Sequence, residues 1–315
     1  MGAMMTRIAL LFFKLYSVTP VRNFMNREAG QQQERNPLPL DSTQERIVRD
    51  LKENGIAVAH IDELFPGRQL FPDLCRYTQE RVADAETKTA KTFLRQLWDA
   101  VPIFNADDPF IHLAMEERVL AVVNAYLALY AKLYYFTLNV TTPVKEGEAP
   151  IQSQKWHRDP EDRNMCKVFL YLNDVDETAG PFVYAKGSQY GGKFGHLFPQ
   201  DPPRGSHPSH EEIMRAIPKE SIITATGKAG TIIFCDTAGI HRGGYATQNM
   251  RLMFTAGYRS PSSPWPVRYK LTDEARGEIE HMKLSTPVRY ALDSNPPTLP
   301  LYFLKKIKKN FSDYA

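Results

Sequence analysis

The sequence predicts a mainly β protein, either an antiparallel sandwich or a jelly roll, with helices on its flanks. Five short segments between residues 131 and 260 are rich in aromatic and β-branched residues, and Gly, Pro, Asn or Asp bounds each of them. The longer helical patterns lie before and after this series. Such an order is typical of antiparallel folds rather than of a parallel sheet.

Composition places the chain among soluble globular proteins. Of its 315 residues, 43% are hydrophobic and 24% are charged, which suits one large domain or two ordinary ones. The net charge of +3 is too small to favour nucleic acid as a partner, and the body of the chain has no basic–aromatic stripe. Cys75, Cys166 and Cys235 lack a CxxC spacing, which favours a reducing, cytoplasmic compartment and packing roles for the thiols.

Three regions are expected along the chain. Residues 1–40 form an N-terminal segment, residues 41–265 a β domain with helices at its start, and residues 266–315 a helical extension with a basic tail. The longest apolar run of the first region has six residues, too short to span a bilayer, and predicts a terminal helix that docks on the protein or lies on a surface. Residues 24–40 are polar and Gln-rich, which indicates a linker.

Capping signals and apolar periodicity predict the first elements of the β domain. Asp41 or the residue after it can cap a helix that runs to about Glu53, and Gly55 ends this helix before the strand GIAVAHI. Residues 74–100 are mostly helical in pattern. A further helix is expected over residues 108–130, and its end is apolar on nearly all sides, which indicates burial against a sheet.

The β series itself has a long interruption. Its segments are KLYYFTLNVTTP, KVFLYLNDV, GPFVYAKGS, GTIIFCDTAG and RLMFTAGYRS. Between Gly191 and Lys228 lies an insertion with several Pro and His residues, and connections of this length are often lids or binding loops. After Pro266 helical patterns return, and the chain ends in the basic stretch LYFLKKIKKNF.

A metal-binding pattern lies between two strands of the series. His157 and Asp159 are two residues apart at the expected end of a strand, where side chains at this spacing point to the same face. A third ligand can arrive from a distant strand, and His241 follows the strand TIIFCD. Two His and one carboxylate on one face of an octahedron hold Fe(II) in non-haem oxygenases. We therefore predict that these three residues bind Fe(II).

A His-x-acid pair alone is a weak signal. Eight His and 36 acidic residues produce about one such pair by chance, and the chain contains two further pairs. His210 and Glu212 lie where a Pro-rich loop enters a helix, and residues two apart on a helix face apart. His60 and Asp62 follow a strand that precedes the β series and are expected to be a strand end and a turn.

Arg251 supplies a second site feature. It begins the strand that follows His241, and a hairpin brings the start of one strand near the end of the previous one. Arginine binds a carboxylate through two parallel hydrogen bonds, which lysine cannot match. A metal with a nearby arginine suits an α-keto acid, whose keto-acid end would bind iron while its far carboxylate meets the guanidinium.

These strings together resemble the phytanoyl-CoA dioxygenase-like family of Fe(II)/2-oxoglutarate oxygenases. The resemblance rests on WHRD at residues 156–159, GPFVYAKGSQ, GTIIFCDTAGIH and Arg251 ten residues beyond the last His, and it covers about residues 44–260. It implies a double-stranded β-helix, the jelly roll of cupin-like proteins, as the core. It also implies iron ligation by His157, Asp159 and His241, and binding of 2-oxoglutarate by Arg251.

The resemblance implies further contacts to the co-substrate and has departures. TLNVTTP resembles the family strand whose Asn points toward 2-oxoglutarate, which corresponds to Asn139, although the loop from there to His157 is longer here. Gly243 stands where some members carry a hydroxyl residue, so that hydrogen bond is either absent or replaced by Thr137. AKGSQ differs from the PGSH form that is usual at its position.

The implied activity is that of a 2-oxoglutarate-dependent dioxygenase. With Fe(II), 2-oxoglutarate and O2, it would hydroxylate or otherwise oxidise an unactivated C–H bond of a small-molecule or lipid-linked substrate, releasing succinate and CO2. Related halogenases carry a small residue in place of Asp159, so a carboxylate there favours hydroxylation or a related oxidation. The alternative function is a non-catalytic jelly-roll module for binding or scaffolding, with a vestigial or different metal site.

Substrate contacts and location are the least constrained predictions. Trp156 and Tyr184 can line an apolar pocket, and Arg158 and Arg204 can receive an anionic group; the alternatives are core packing for the aromatic residues and a solvated loop for the cations. Both chain ends combine apolar residues with cations. They fit docked helices or helices at the inner face of a membrane.

Overall fold

The computed structural model describes residues 2–84, 89–91 and 93–293. In these ranges the strands are β1 (Ile56–His60), β2 (Thr89–Lys91), β3 (Leu94–Gln96), β4 (Lys132–Thr141), β5 (Met165–Tyr171), β6 (Phe182–Ala185), β7 (Ile222–Ala225), β8 (Thr231–Cys235), β9 (His241–Arg242) and β10 (Arg251–Arg259). The helices are α1 (Gly2–Ser17), α2 (Thr19–Arg35), α3 (Ser42–Asn54), α4 (Ile61–Leu64), α5 (Leu70–Asp84), α6 (Pro109–Met115), α7 (Glu117–Leu127), α8 (His210–Ala216), α9 (Asp273–His281) and α10 (Thr286–Leu292). The chain is therefore rich in sheet with flanking helices, as the sequence predicts.

The strands form two sheets. The large sheet has the order β1-β8-β5-β10-β4-β3-β2, and the small sheet has the order β7-β6-β9. Every pair of neighbouring strands is antiparallel. Several neighbours in space are far apart in sequence, since β1 pairs with β8 and β4 with β10. The antiparallel prediction is confirmed.

Strand alternation gives the large sheet two buried faces. On β5, Val168 and Leu170 pack with the helix side chains, while Phe169 and Tyr171 pack with residues of the small sheet such as Phe182. Successive side chains of a strand point to opposite faces, so one strand serves both layers. This explains the nearly continuous apolar character of these strands.

The helix layer begins as the capping signals predict. The side chain of Asp41 accepts a hydrogen bond from the backbone of Gln44, whose own side chain bonds back to the Asp41 backbone. The helix ends at Gly55, whose φ of 78° lies in the left-handed region that glycine adopts without a Cβ penalty. Strand β1 follows at once. The predicted helix over Asp41 to about Glu53 and the strand after it are confirmed.

Two helical predictions differ from the structure. The helix expected over residues 108–130 is interrupted at Glu116, which has extended backbone angles between α6 and α7. Over residues 74–100 the structure describes a helix as far as Asp84 and then, from Thr89, the hairpin of β2 and β3 in place of the expected helix. Strand β3 bonds to β4 at the edge of the large sheet, so a long-range pairing overrides the local pattern there.

The expected linker over residues 24–40 is wrong for most of its length. Helix α2 continues to Arg35, because Gln, Glu and Arg are good helix formers and no Pro or second Gly interrupts them. Only the stretch from Asn36 to Asp41 separates it from α3. The N-terminal segment is therefore a pair of helices joined at Val18.

This helix pair docks on the segments that follow β4 and β10. Phe13 is buried, and its ring lies 5.2 Å from that of Trp265 between centroids. The Arg22 guanidinium lies 2.5 Å from a carboxylate oxygen of Asp162, and both side chains are at most 10% exposed. The sequence predicted a terminal helix that either docks on the protein or lies on a surface, and the burial of Phe13 shows that it docks.

We expect Arg22→Ala to destabilise the fold. Removing one partner of a buried ion pair leaves the other charge unpaired, which costs about 3–5 kcal/mol. Urea unfolding should show this decrease in the free energy of unfolding. Lys14→Ala is the control, because Lys14 and Asp201 are both well exposed at 3.9 Å and exposed pairs contribute about 0–1 kcal/mol. Equal decreases in the free energy of unfolding for the two variants would contradict a stabilising role for the buried Arg22–Asp162 pair.

The C-terminal region is helical through α10, as predicted after Pro266. The basic tail and its expected membrane contact lie outside the described residues, which end at 293. Among the helices that the structure describes, none has both the length and the run of apolar residues needed to cross a bilayer.

Candidate metal centre

His157, Asp159 and His241 meet at one point between the sheets. Their ligating atoms all lie within 4.8 Å of one another, a grouping that could hold a metal ion. Nε2 of His157 is 3.8 Å from Oδ1 of Asp159, and Nε2 of His241 is 3.7 Å from Oδ2. The three side chains are 7–14% exposed. The structure thus brings together the three residues that the sequence singled out.

Backbone hydrogen bonds fix this meeting. His157 and His241 form a β-bridge in which each amide donates to the other's carbonyl, at 2.8 and 2.9 Å. The Asp159 amide donates to the carbonyl of Thr237 at 2.9 Å. The segment of the predicted pair is therefore locally extended, which is why residues two apart face the same side.

Each imidazole is oriented by a carbonyl of its own loop. Nδ1 of His157 lies 2.8 Å from the Lys155 carbonyl, and Nδ1 of His241 lies 3.0 Å from the Gly239 carbonyl. A carbonyl oxygen only accepts hydrogen bonds, so Nδ1 must carry the proton in both rings. Each Nε2 then offers its lone pair toward Asp159, and this is the arrangement that metal-binding histidines commonly have.

The protonation states suit a metal site. Burial lowers the pKa of His157 to about 3, with a further contribution from the neighbouring His241, whose own pKa is also lowered by burial. Burial by itself raises the pKa of Asp159, but Lys167 and the imidazoles outweigh it and hold the pKa well below its ordinary value. At neutral pH the group is two neutral imidazoles and one carboxylate, the forms that bind metals.

Lys167 is a site residue that the sequence reasoning missed. Its Nζ lies 2.6 Å from Oδ2 of Asp159. Burial alone would lower the pKa of Lys167, but Asp159 and other nearby groups raise it well above the ordinary value. A signal was present: a single cation on an otherwise apolar buried strand needs a partner inside the protein.

Arg251 lies on the inner face of the large sheet and is 4% exposed. Its Nη2 donates to Oγ1 of Thr141 at 3.3 Å, while Nε and Nη1 are buried without a hydrogen-bond partner. Burial lowers the pKa of Arg251, and the hydroxyl of Tyr171 opposes this change. A Cβ added to Gly243 would lie 3.7 Å from Nη1, so the absence of a side chain there keeps space beside the guanidinium.

Thr137 and Asn139 lie on the same face as Arg251. On β4, Thr137 pairs with Thr255 of β10 and Asn139 pairs with Met253. Met253 and Thr255 lie two and four residues after Arg251, so their side chains point to the same face as that of Arg251. Oγ1 of Thr137 donates to Oδ1 of Asn139 at 3.1 Å, and both residues are buried. Their role in binding 2-oxoglutarate stays a prediction.

Arg158 does not face the metal centre, contrary to the prediction that it contacts substrate. It lies between two residues that face the metal, so alternation directs it to the opposite side. Its guanidinium is buried and donates to the carbonyls of Ser188 and Ala238 at 2.6 Å and of Leu197 at 2.8 Å. Arg158 therefore joins three loops.

The predicted aromatic substrate contacts are core residues. Trp156 is 2% exposed, packs with the apolar side chains behind the small sheet and donates to Nδ1 of His210 at 3.2 Å. Tyr184 is fully buried, and its hydroxyl donates to the Asp236 carbonyl at 3.0 Å. Arg204 lies exposed in a turn with Asp201. The expectation of a pocket lined by Trp156 and Tyr184 is corrected to core packing.

The two rival pairs are helix starts. His60 caps α4 by accepting from the Asp62 amide, and its Nε2 lies 3.0 Å from the Ala229 carbonyl. Ser209 caps α8, and Glu212 completes its capping box.

The insertion between β6 and β7 also reaches the metal centre, where the His207 ring lies 6.1 Å from that of His157, nearly parallel.

Asp236 supports the turn that carries His241. Its Oδ2 accepts from the Tyr126 hydroxyl at 2.6 Å and its Oδ1 from the Ala238 amide at 3.0 Å, and burial raises its pKa to about 7. This pKa lies above that of the unfolded chain, so stability is lost as pH rises. The loss between about pH 4 and pH 7 should approach about 4 kcal/mol.

Asp236→Asn tests this pH dependence. The amide does not titrate, so the advantage of the unsubstituted protein over the variant should fall as pH rises from 4 to 8. Unfolding by urea at several pH values measures it. A constant difference across this range would contradict the raised pKa.

Comparisons with known proteins agree with this arrangement. A family model described as phytanoyl-CoA dioxygenase (PhyH) matches residues 73–253, more than half of the chain. No curated protein matches the sequence significantly. A structure of the epimerase SnoN with Fe³⁺, alpha ketoglutarate and nogalamycin RO has 17% identity and a TM-score of 0.54, covering 71% of this chain and 86% of that chain.

A second structure of SnoN is described as a non-heme alpha ketoglutarate dependent epimerase from nogalamycin biosynthesis. It has 16% identity and a TM-score of 0.50, covering 82% of this chain and 97% of that chain. At this level of identity, the likeness shows a shared fold.

Proposed function

This chain belongs to the phytanoyl-CoA dioxygenase family, and from this premise we propose that it oxidises an unactivated C–H bond of a small molecule, using Fe(II), 2-oxoglutarate and O2. Iron and 2-oxoglutarate are the cofactors of that family. The observation that carries the proposal is the convergence of His157, Asp159 and His241 on one point.

The residues present fit both groups. Two neutral imidazoles and a carboxylate are the donor set of the non-haem Fe(II) oxygenases, and their Nε2 and carboxylate atoms lie close enough for one ion. For 2-oxoglutarate, Arg251 offers two buried nitrogens, Nε and Nη1, that make no hydrogen bond in the protein. A buried unpaired cation is costly, so a carboxylate ligand would relieve the cost.

Each residue has a defined task in this proposal. Bound iron with 2-oxoglutarate and O2 supplies the oxidising chemistry, in which decarboxylation to succinate drives oxidation of the substrate. His157, Asp159 and His241 hold the ion on one side and leave its other side open. Arg251 orients the far carboxylate of 2-oxoglutarate, with Thr137 and Asn139 beside it on the sheet. The two packed layers exclude water from this space.

We propose a double-stranded β-helix as the core that carries the centre. The two antiparallel sheets, the packing of Phe169 against Phe182 between them and the bridge from His157 to His241 support this description. Hydroxylation is the reaction type we favour, since Asp159 occupies the carboxylate position. A non-catalytic scaffold is less well supported, because three possible ligands converge and Arg251 is buried with two nitrogens unpaired.

The direct test is an anaerobic titration with Fe(II) and then 2-oxoglutarate. Chelation of iron by the keto acid should produce a visible charge-transfer band, and its absence would favour the scaffold. A screen of acyl-CoA, amino-acid, sugar and lipid compounds for stimulated succinate formation would then identify the substrate class.

We also propose that the N-terminal helices can contact a membrane surface. Leu11 and Leu15 lie one turn apart on α1 and are 69% and 52% exposed, and Phe24 on α2 is 75% exposed. Exposed apolar side chains with a nearby cation such as Lys14 are typical of interfacial helices. A lipid-linked substrate would then be accessible.

Sedimentation with anionic liposomes tests this contact. The double variant Leu11→Ser/Leu15→Ser should bind less than the unsubstituted protein. Ile103→Ser is the control, since Ile103 is a comparably exposed side chain elsewhere. Equal sedimentation of all three proteins would remove the proposal.

A further inference from the structure

Lys167 lies in the middle of the large sheet and reaches the metal centre from there. On β5 it pairs with Cys235 of β8 and Gly257 of β10. It shares its face with Phe169, which packs against the small sheet. The side chain is 12% exposed, so its ammonium group must find its partners between the sheets.

The partner that the ammonium finds is a predicted iron ligand. Nζ of Lys167 lies 2.6 Å from Oδ2 of Asp159, a distance typical of a charge-assisted hydrogen bond. The ring centroid of Tyr135 lies 5.6 Å from Nζ, and Tyr135 is on β4, which β10 separates from β5. The other carboxylate oxygen, Oδ1, is 3.8 Å from Nε2 of His157. Oδ2 is likewise 3.7 Å from Nε2 of His241, so the feature that distinguishes the two oxygens is the ammonium, which bonds to Oδ2.

We propose that Lys167 is a positioning residue that makes Asp159 bind iron through a single oxygen. The inference rests on the proposed function, because it concerns the carboxylate that would hold iron there. Carboxylates can bind a metal through one oxygen or through both. Binding through both would place the metal cation on Oδ2 beside the ammonium and weaken the hydrogen bond of a buried cation, which is unfavourable.

Ligation through one oxygen keeps room for the co-substrate. An octahedral ion held by three protein atoms on one face has an open opposite face. The keto acid and O2 would bind on that open face, and a carboxylate bound through both oxygens would take up part of it. Lys167 should therefore affect the affinity for 2-oxoglutarate more than the affinity for the metal.

Substitution with Co(II) allows a test without turnover, because its visible absorption reports coordination number. Lys167→Met keeps the length of the side chain and removes the donor. It should bind Co(II) about as tightly as the unsubstituted protein but bind 2-oxoglutarate at least about tenfold more weakly, because the second oxygen of Asp159 would then compete with the keto acid for the metal. Its Co(II) spectrum before 2-oxoglutarate should also differ from that of the unsubstituted protein.

Lys270→Met is the matched control, since the same change is made at an exposed position; we expect it to leave both affinities and the spectrum unchanged. A folded Lys167→Met with an unchanged spectrum and unchanged 2-oxoglutarate affinity would overturn the inference. So would equal losses of metal and 2-oxoglutarate affinity, which indicate a general structural role.

Lys167→Gln provides a second test in case Lys167→Met does not fold. The amide of Lys167→Gln ends one bond short of the ammonium, so this variant should show the same change to a smaller degree, and an unchanged spectrum and affinity would overturn the inference. If the unsubstituted protein binds no Co(II), the proposed function fails, and this inference fails with it. Binding of Co(II) that Asp159→Ala abolishes, together with no effect of Lys167→Met, overturns the inference alone.

Discussion

Asp159→Ala should abolish 2-oxoglutarate turnover. The carboxylate lies within 3.8 Å of Nε2 of both His157 and His241, and it is the only anionic member of the three-residue group that the described residues bring together. Loss of a supporting contact to a metal ligand costs about 10–100-fold, so loss of a ligand should exceed about a hundredfold. Succinate formation and Fe(II) binding at equilibrium would both measure the effect.

The variant also leaves Lys167 without its carboxylate, so folding must be checked. Asp159→Asn keeps the shape of the side chain and should show the same loss with a smaller change in stability. Asp62→Ala is the control, since Asp62 belongs to the rival His60 pair and is 68% exposed. Full turnover by a folded Asp159→Ala would disprove the ligand assignment.

Arg251→Met should weaken 2-oxoglutarate binding and stabilise the ligand-free protein. Truncating one partner of a buried, hydrogen-bonded charge pair costs about 2–5 kcal/mol, which is roughly 30-fold or more in Kd. In the free protein, Nε and Nη1 have no partner. Removing these groups should raise the free energy of unfolding by roughly 1–3 kcal/mol.

The opposite signs of these two effects make the prediction specific. Substituting a residue that only packs would lower the free energy of unfolding of the protein. Substituting a buried cation whose anionic partner is the ligand should raise the free energy of unfolding of the ligand-free protein. Arg251→Lys should bind 2-oxoglutarate with intermediate affinity, because a single ammonium cannot form two parallel hydrogen bonds. Arg242→Met is the control, because it removes a guanidinium that lies 4.9 Å from the core residue Trp156 and that we do not expect to contact 2-oxoglutarate. Calorimetry and urea unfolding would measure both quantities, and a destabilised variant with normal binding would refute the assignment.

Local patterns were sufficient for much of the fold and for the metal group. Asp41 and Gly55 marked the ends of α3 because capping depends on residues close in sequence. The spacing of His157 and Asp159 correctly predicted that their side chains lie close together, because alternation is also a local property of an extended segment. The family resemblance, which the family model confirms, then joined these residues to His241 and Arg251.

The same alternation could have prevented one error. Arg158 lies between two residues that face the metal, so its prediction as a substrate contact conflicted with the spacing that identified them. Trp156 was misjudged for another reason. Whether an aromatic side chain lines a pocket or fills a core depends on what packs against it, and that was α8, more than 50 residues away.

The sequence by itself determined the five strands of the β series, both ends of α3 and the three residues that converge as possible iron ligands. The tertiary structure alone decided that Lys167 pairs with Asp159 and that Arg251 keeps two donors unpaired. It also decided that Arg22 ties the N-terminal helices to Asp162. Periodicity and capping act over a few residues, whereas these contacts depend on the order of strands in two sheets. That order joins β5 to β8 and β10, which no local pattern encodes.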